Sequence, residues 1–258
     1  MSGFLTRRYA TLHKTLIENV IKTTRESIYP PVMRLSTITQ LVNTAFRFVI
    51  WNSKQYNIDE SHALKHSLDV FHYANDIYES EVVQHPELRD QLPILYSSAI
   101  MHDMCDKKYM NESVGIGRIC EQMVPYMSPE DISTMSRIIT TMSYSKVKTH
   151  GYPDLGNYQL VYHIVREADL LSAYDFERSL VYQMMHEKYE YIDSIQTTTD
   201  LFRARILRYR EDGLFLTAYS KNKSAVLHAR SESEMKSRHF HTNIPSLRRP
   251  ENFDFPTR

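Results

Sequence analysis

Three short segments of this sequence place histidine and aspartate side chains at spacings that could bind a metal ion. His62 and His66 in "SHALKHSLDV" are four residues apart, which puts them one turn from each other on a helix. His102 and Asp103 are adjacent in "MHDMCD", at the end of an apolar run, and Asp169 follows an apolar stretch in "IVREADLLSAYD". Imidazole nitrogens and carboxylate oxygens together suit a divalent metal ion.

Each of these features also has an ordinary structural explanation when it is taken alone. Most histidines are surface residues or hydrogen-bonded core residues, and His102–Asp103 is only a dipeptide. Asp169 is more informative because it lies next to a buried helical stripe that includes Ile164 and Leu171. A carboxylate in such a place needs a charged partner, a hydrogen-bond donor or a metal. Three such features in helical segments are harder to attribute to chance than any one of them.

A second group of charged side chains could bind anions or transfer protons. Asp106, Lys107 and Lys108 follow the His-Asp pair, and Lys146 lies in "SYSKVKTHGYP", which we predict to be a loop. The lysines could neutralise phosphate groups, although a helix dipole would equally favour two lysines at a helix C-terminus. His62 could contact a phosphate, or it could be a surface or supporting residue. Asp106 could likewise be an ordinary surface carboxylate at a helix end.

The elements that must position these side chains are predicted to be helices. Apolar residues recur at helical spacing almost throughout, and we find no convincing hairpin signal, so we predict an all-α fold. Asp59 is the predicted N-cap of the helix that carries His66, and Ser128 is the predicted N-cap before Pro129. The predicted helices cover residues 5–27, 35–52, 60–80, 87–104, 112–124, 129–143, 157–190, 198–212 and 214–237.

Length and composition indicate one compact domain with extensions at both ends. We predict a helical extension over residues 1–30, a compact helical domain over 31–238 and a flexible tail over 239–258. The 31 basic residues balance the 31 acidic ones, which argues against a nucleic-acid or anionic-membrane partner. A homo-oligomer is compatible with this composition.

The use of cysteine and glycine bears on where the protein is located and on how it could bind phosphate. The two cysteines form no Cys-x-x-Cys pair, and the N-terminal segment lacks the apolar core of a signal peptide, so we expect a cytoplasmic protein. There are only six glycines, and Gly115 and Gly117 in "VGIGRI" have no third glycine and no preceding strand. We therefore expect phosphates to be bound by side chains or a metal rather than by a glycine-rich loop.

The metal-capable segments resemble the motifs of the HD-domain metal-dependent phosphohydrolase superfamily, which has an H…HD…D pattern on an all-helical fold. "SHALKHSLDVFHYAND" is similar to its H-x-x-x-H-x-x-x-V-x-x-x-A helix, "LYSSAIMHDMCDKKY" to AALLHD-x-x-D-x-K, and "YHIVREADLLSAYD" to IVxDADRLDA. Residues 201–230 are similar to the C-terminal helices of small bacterial nucleotide pyrophosphohydrolases, one branch of the superfamily. The resemblance covers approximately residues 40–235.

This resemblance implies a role for each candidate residue. The implied metal ligands are His66, His102, Asp103 and Asp169, and the implied ion is Mn²⁺, Fe²⁺, Co²⁺, Ni²⁺ or Mg²⁺. Asp106 would orient or deprotonate the attacking water, or protonate the leaving group. The substrate-binding residues would be His62, Lys107, Lys108 and Lys146.

The sequence departs from the branch at three positions of the last motif. Leu170 stands where the branch usually has an arginine, Ser172 where it has an aspartate, and Glu167 at the first acid of the motif. None of these changes removes an implied ligand. They affect which substrate the site would bind and which residues would hydrogen-bond to the metal ligands.

The implied function is hydrolysis of a small nucleotide by a metal-bound water. Pyrophosphohydrolysis of a nucleoside triphosphate is the first interpretation, because of the branch resemblance. A nucleoside 5′-monophosphate phosphatase, or another HD phosphohydrolase, is the alternative. A catalytically silent helical protein that binds nucleotides or mediates interactions is a further alternative.

Overall fold

The computed structural model describes residues 35–242, and all regular secondary structure in this part is helical, so the predicted all-α fold is confirmed. The predicted extension over residues 1–30 and residues 243–258 of the predicted tail lie outside the described residues, whereas residues 239–242, predicted to begin that tail, belong to the last helix. The α-helices are α1 (Leu35–Tyr56), α2 (Leu64–Glu81), α3 (Leu92–Met101), α4 (Glu112–Met123), α5 (Pro129–Thr141), α6 (Tyr144–His150), α7 (Gln159–Ser172), α8 (Phe176–Met185), α9 (Tyr191–Ala204) and α10 (Ala218–Thr242). Three short 3₁₀ turns lie at Pro86–Arg89, Gly156–Tyr158 and Ile206–Arg208.

Helix α3 forms the centre of the core. Every residue from Pro93 to Met101 is buried, as expected for a helix that is apolar on all sides. It packs against α1, α2, α5 and α7, while α2 and α7 pack extensively against each other. This arrangement brings His66 on α2, the end of α3 and Asp169 on α7 to one place. None of the described helices combines the length and apolar character needed to cross a membrane.

Helix α2 begins later than predicted, at Leu64, and has no side-chain cap. The predicted N-cap role of Asp59 is wrong. Its carboxylate instead accepts hydrogen bonds from the backbone N–H (2.9 Å) and the hydroxyl of Ser61, forming a local turn. Because of this turn, His62 precedes the helix and does not share a helical face with His66.

Helix α3 ends earlier than predicted, at Met101 rather than near residue 104. His102 is its C-cap residue, and the chain continues as a turn in which the Asp106 N–H donates to the Asp103 carbonyl at 3.2 Å. Asp103 and Asp106, although three residues apart, therefore do not lie on one face of a helix. The His-Asp pair lies on an irregular turn, where neighbouring side chains can point to the same place.

The single helix predicted over residues 157–190 is two helices. Helix α7 ends at Ser172, and α8 starts after Asp175, whose carboxylate accepts hydrogen bonds from the N–H groups of Glu177 (3.0 Å) and Arg178 (3.2 Å). This is a regular N-cap, so a new helix begins with a new direction. The break matters for function because it aims Arg178 at the candidate site.

Two other helix starts follow capping rules. Ser128 caps α5 as predicted, since its hydroxyl oxygen accepts from the Asp131 N–H at 3.2 Å. The segment around Lys146, predicted to be a loop, contains the short helix α6, which Ser143 caps by accepting from the Lys146 N–H at 3.4 Å. Lys146 is thus held on a helix that borders the candidate site.

The helices predicted over residues 198–212 and 214–237 occur with shifted ends, as α9 and α10. The start of α10 is fixed by Glu167, a fully buried residue on α7. Its carboxylate accepts from the N–H groups of Leu216 (2.7 Å) and Thr217 (3.2 Å) and from the Thr217 hydroxyl (2.7 Å). The acid at this position therefore ties the last helix to the helix that carries Asp169.

Candidate metal centre

Four side chains from three parts of the chain converge beneath the surface. His66 Nε2 lies 3.0 Å from His102 Nε2, 3.1 Å from Asp103 Oδ2 and 3.5 Å from Asp169 Oδ1. His102 Nε2 lies 3.4 Å from Asp103 Oδ1 and 3.6 Å from Asp169 Oδ1. His66, His102 and Asp103 form a cluster that could hold a metal ion, and Asp169 borders it.

The outer nitrogens of the two histidines have partners that fix the tautomers. His102 Nδ1 lies 2.9 Å from the carbonyl oxygen of Ala99, which can only accept, so Nδ1 carries the proton. The Ser172 hydroxyl donates to the Asp169 carbonyl at 2.7 Å, which leaves its oxygen to accept from His66 Nδ1 at 3.3 Å. Each neutral imidazole therefore presents the lone pair of Nε2 to the cluster, as metal-binding histidines do.

When both imidazoles are neutral, the inner face of the cluster consists of hydrogen-bond acceptors without a donor among them. Two Nε2 lone pairs face the carboxylates of Asp103 and Asp169, whose nearest oxygens lie 3.1 Å and 3.5 Å from His66 Nε2. Asp103 Oδ2 is buried and forms no hydrogen bond with any described residue, although His66 Nε2 lies only 3.1 Å away. Hydrogen-bond acceptors in such close contact need a cation between them. Two imidazole nitrogens and two carboxylates form a ligand set that fits a divalent metal ion.

The pKa values of the cluster reflect the same need for positive charge. Burial, together with the Arg178 charge, lowers the pKa of His66 to about 3 despite the nearby Asp103 carboxylate, so this imidazole is neutral. Burial also opposes the charge on His102, but the Asp103 and Asp169 carboxylates raise its pKa to about 9. Burial would raise the pKa of each carboxyl, yet His102 holds both below their usual range. Without a metal ion, a proton on His102 Nε2 therefore supplies the positive charge, and a bound ion would displace that proton and leave both imidazoles neutral.

The turn that carries the His-Asp pair is held between two helices. On α1, the buried Asn52 side chain donates from Nδ2 to the Met104 carbonyl at 3.1 Å. On α4, Gly115 lies so close to the turn that a Cβ atom there would come within 2.6 Å of Cys105 Cβ and 2.7 Å of Cys105 Cα. Gly115 therefore serves close packing inside a helix and is not part of a phosphate-binding loop.

A cleft of about 480 Å³ opens onto the cluster. His102, Asp103 and Asp169 line its floor, while His66 is buried behind them. All of the residues predicted to act on a substrate also line this cleft: His62, Asp106, Lys107, Lys108 and Lys146. The volume is in the range of pockets that bind small-molecule ligands.

His62 is held in a hydrogen-bonded network beside the cluster. Its Nδ1 lies 2.6 Å from the Ser61 hydroxyl and 3.3 Å from the Tyr109 hydroxyl, and both of these hydroxyls donate to the Asp59 carboxylate. Its Nε2 lies 3.4 Å from Lys108 Nζ. Although burial acts against it, hydrogen bonds from His62, Ser61 and Tyr109 keep the pKa of Asp59 below its usual range. The ionised carboxylate thus orients His62 towards the cleft.

The other predicted residues differ in how far they are already paired. Asp106 Oδ1 accepts from the Lys108 N–H at 2.9 Å, which fixes the turn, and Lys108 Nζ lies 4.0 Å from Asp106 Oδ2. Lys146 Nζ is paired with the Glu112 carboxylate and donates to the Thr140 carbonyl at 2.8 Å. Lys146 therefore brings less unpaired charge to the cleft than its sequence position suggested.

Sequence reasoning missed Arg178, which lines the cleft from α8. Its Nε donates to the Ser61 carbonyl at 2.5 Å, and its Nη2 lies 3.7 Å from Asp103 Oδ2. It provides a guanidinium beside the cluster, whereas Leu170, at the position where the resembling branch has its arginine, is buried. The signal that could have located it is Asp175 in "AYDFER", a capping residue that indicates a helix break.

Comparison with models of known protein families, with curated proteins and with solved structures finds no match to this chain. A functional interpretation therefore depends on the side chains of the cleft and on the H…HD…D pattern.

Proposed function

We propose that the protein is a metal-dependent phosphohydrolase of the HD superfamily that acts on a small nucleotide. The observation that carries this proposal is the meeting of two Nε2 lone pairs and two carboxylates at the floor of a cleft. These groups belong to the residues that the H…HD…D pattern identifies. A cluster of acceptors with tautomers fixed from outside is typical of a metal site and costly in a protein that binds no cation.

His66, His102, Asp103 and Asp169 would hold the ion. Two nitrogens and two carboxylates favour Mn²⁺, Fe²⁺, Co²⁺ or Ni²⁺, and Mg²⁺ is compatible with the carboxylates. When bound, such an ion supplies a water nucleophile near neutral pH and polarises a phosphoryl group. His66 and His102 are more than nine-tenths buried, which limits access to the ion to the open face of the cleft.

The chain's own residues would position the substrate and move protons. Lys107 and Lys108 at the cleft, with Arg178 beside Asp103, would neutralise phosphate oxygens. Asp106 lies two residues before Lys108 in the same turn and is the proposed acceptor of the proton from the attacking water. His62 is oriented by its network, and its Nε2, 3.4 Å from Lys108 Nζ, would help to position that ammonium group for a phosphate oxygen.

Two bond cleavages are consistent with this site. Pyrophosphohydrolysis of a nucleoside triphosphate is the first candidate, since several cationic groups line the cleft. Hydrolysis of a nucleoside 5′-monophosphate is the second, and one observation favours it. Lys146 is already paired with Glu112, so fewer cations remain for a long phosphate chain.

A cytoplasmic location belongs to the same proposal, because Cys105 and Cys120 are both free thiols and buried.

The proposal is tested with a panel of nucleoside mono- and triphosphates, incubated with Mn²⁺ or Co²⁺ and analysed by product mass. We expect turnover of at least one nucleotide, with diphosphate or phosphate identifying the bond. The Asp106→Asn variant should retain the metal and lose about 100-fold in kcat, as expected for a general acid or base. A metal-loaded protein that turns over no nucleotide would leave the silent binding protein as the better interpretation, and full turnover by Asp106→Asn would remove its role.

A further inference from the structure

One wall of the cleft is built from flat side chains rather than from isolated charges. Tyr144 from α6, Arg205 from the end of α9 and Tyr209 from the following turn all line the cleft. Arg205 Cζ lies 4.4 Å above the centroid of the Tyr144 ring, and Arg205 Nε donates to the Tyr209 hydroxyl at 3.0 Å. The rings of Tyr144 and Tyr209 are 5.4 Å apart. We call these three residues the aromatic wall.

The aromatic wall is held rigid from behind. Tyr209 is fully buried, and burial raises its pKa to about 12, so its hydroxyl stays protonated. The Tyr144 ring lies on one side of the Arg205 guanidinium, and the hydrogen bond to the Tyr209 hydroxyl restricts its rotation. The arginine itself remains exposed at the cleft. A guanidinium held in this way offers its other face to a planar ligand.

The side chains around the aromatic wall differ from those around the cationic part of the cleft. Ile139, Leu201 and Ile206 line the cleft, and they lie near Tyr144 or Arg205 in the sequence. Lys107, Lys108 and Arg178 come from other elements, the turn after α3 and α8, and Lys146, on α6 with Tyr144, is already paired with Glu112. Apolar neighbours favour the flat face of an aromatic ring, while a phosphate chain would lose hydration there without enough partners.

We infer that the aromatic wall binds the base of the nucleotide by stacking it on Arg205. This inference rests on the proposed nucleotide substrate and assigns its base to one part of the cleft. Bases stack well on guanidinium planes and aromatic rings, and the remaining N–H groups of Arg205 could donate to acceptors on the base edge. Recognition of the base would thus depend on a residue that is outside the H…HD…D motifs.

The test is equilibrium binding measured by calorimetry in EDTA, where no metal-dependent turnover occurs. The probes are adenosine, guanosine, cytidine and uridine 5′-monophosphates, with ribose 5-phosphate as the probe that lacks a base. At least one nucleotide should bind the wild-type protein about tenfold more tightly than ribose 5-phosphate. Arg205→Ala should remove this preference and leave the affinity for ribose 5-phosphate unchanged.

Arg203→Ala is the matched control, because Arg203 is an exposed arginine on the same helix that does not line the cleft. It should keep the preference, and thermal melts should show that both variants fold. Equal binding of all five probes to the wild type would overturn the inference, as would a parallel loss of nucleotide and ribose 5-phosphate binding in Arg205→Ala. Base-dependent binding without turnover in the metal-loaded panel would remove the hydrolase proposal and retain the aromatic wall as a base site.

Discussion

At the scale of single residues, the candidate metal centre depends on groups that do not themselves face the ion. Ser172 stands where the resembling branch has an aspartate, and its hydroxyl still accepts from His66 Nδ1. The Ala99 carbonyl does the same for His102. These partners hold both imidazoles with Nε2 towards the cluster, which is what a metal site requires of its supporting residues.

Replacing Ser172 by alanine is expected to weaken metal binding about tenfold or more, because His66 then loses the acceptor that fixes its tautomer. The measurement is competition between the protein and a chelator for Mn²⁺. Ser98→Ala is the matched control, since Ser98 is also buried and its hydroxyl has no hydrogen-bond partner among the described residues. Equal Mn²⁺ affinity in the wild type and Ser172→Ala would contradict the role of Ser172.

At the scale of elements, the structure explains which predictions from sequence held and which did not. The apolar run predicts α3 correctly because all faces of that helix are buried. Ser128 was predictable as the N-cap of α5 because capping depends only on residues next to it in the sequence. Helix ends that depend on tertiary contacts were not predictable in the same way. Asp59 looks like an N-cap, but Tyr109, fifty positions along the chain, donates to its carboxylate at 2.6 Å and helps hold it in a turn.

The candidate site shows the same division. The residues of the H…HD…D pattern could be identified by their resemblance to the superfamily motifs, and the acid on α7 also lies beside a buried stripe. Of the missed residues, Arg178 has one local signal, the capping residue Asp175 before it, and Arg205 has none. Their positions depend on the break before α8 and on the packing of α9, so sequence periodicity could not relate them to the cleft.

The packing of α4 on the His-Asp turn gives a prediction at this scale. Gly115→Ala places a methyl group within 2.7 Å of the Cys105 backbone, so the helix or the turn must move. We expect a loss of about 1–3 kcal/mol in the free energy of unfolding, measured in urea, together with weaker Mn²⁺ binding. Val114→Ala, at an exposed position of the same helix, should change stability by less than about 0.5 kcal/mol. A fully stable Gly115→Ala variant would show that the turn tolerates the displacement.

At the scale of the whole molecule, three helices from distant parts of the chain, α2, α3 and α7, meet at the candidate metal centre. Two further carboxylates join other segments to this part of the fold. Glu167 ties α7 to the start of α10, and Asp59 ties the segment before α2 to the turn after α3 through Tyr109. Both residues are carboxylates with several donors. Because the pKa of Asp59 is lowered in the folded protein, the stability of the whole fold should depend on pH through this carboxylate.

Asp59 provides the clearest case. Its pKa is lower in the folded protein than the ordinary value of 3.8, so its hydrogen bonds stabilise the fold above that pH. The stability difference between wild type and Asp59→Asn should be constant above about pH 5 and should shrink as the pH falls below the ordinary carboxyl range. Urea denaturation at several pH values measures this difference. A difference that does not change down to pH 2 would contradict the assigned role of the Asp59 charge.

The most direct test of the central claim is the metal content of the purified protein after loading with Mn²⁺ and dialysis. Mass spectrometry of the metal should find one ion per chain in the wild type and none in the Asp103→Ala, Asp169→Ala double variant. The control Asp90→Ala removes an exposed carboxylate that does not line the cleft and should retain the ion. A wild-type protein without bound metal, or a double variant that keeps it, would contradict a metal centre formed by His66, His102, Asp103 and Asp169.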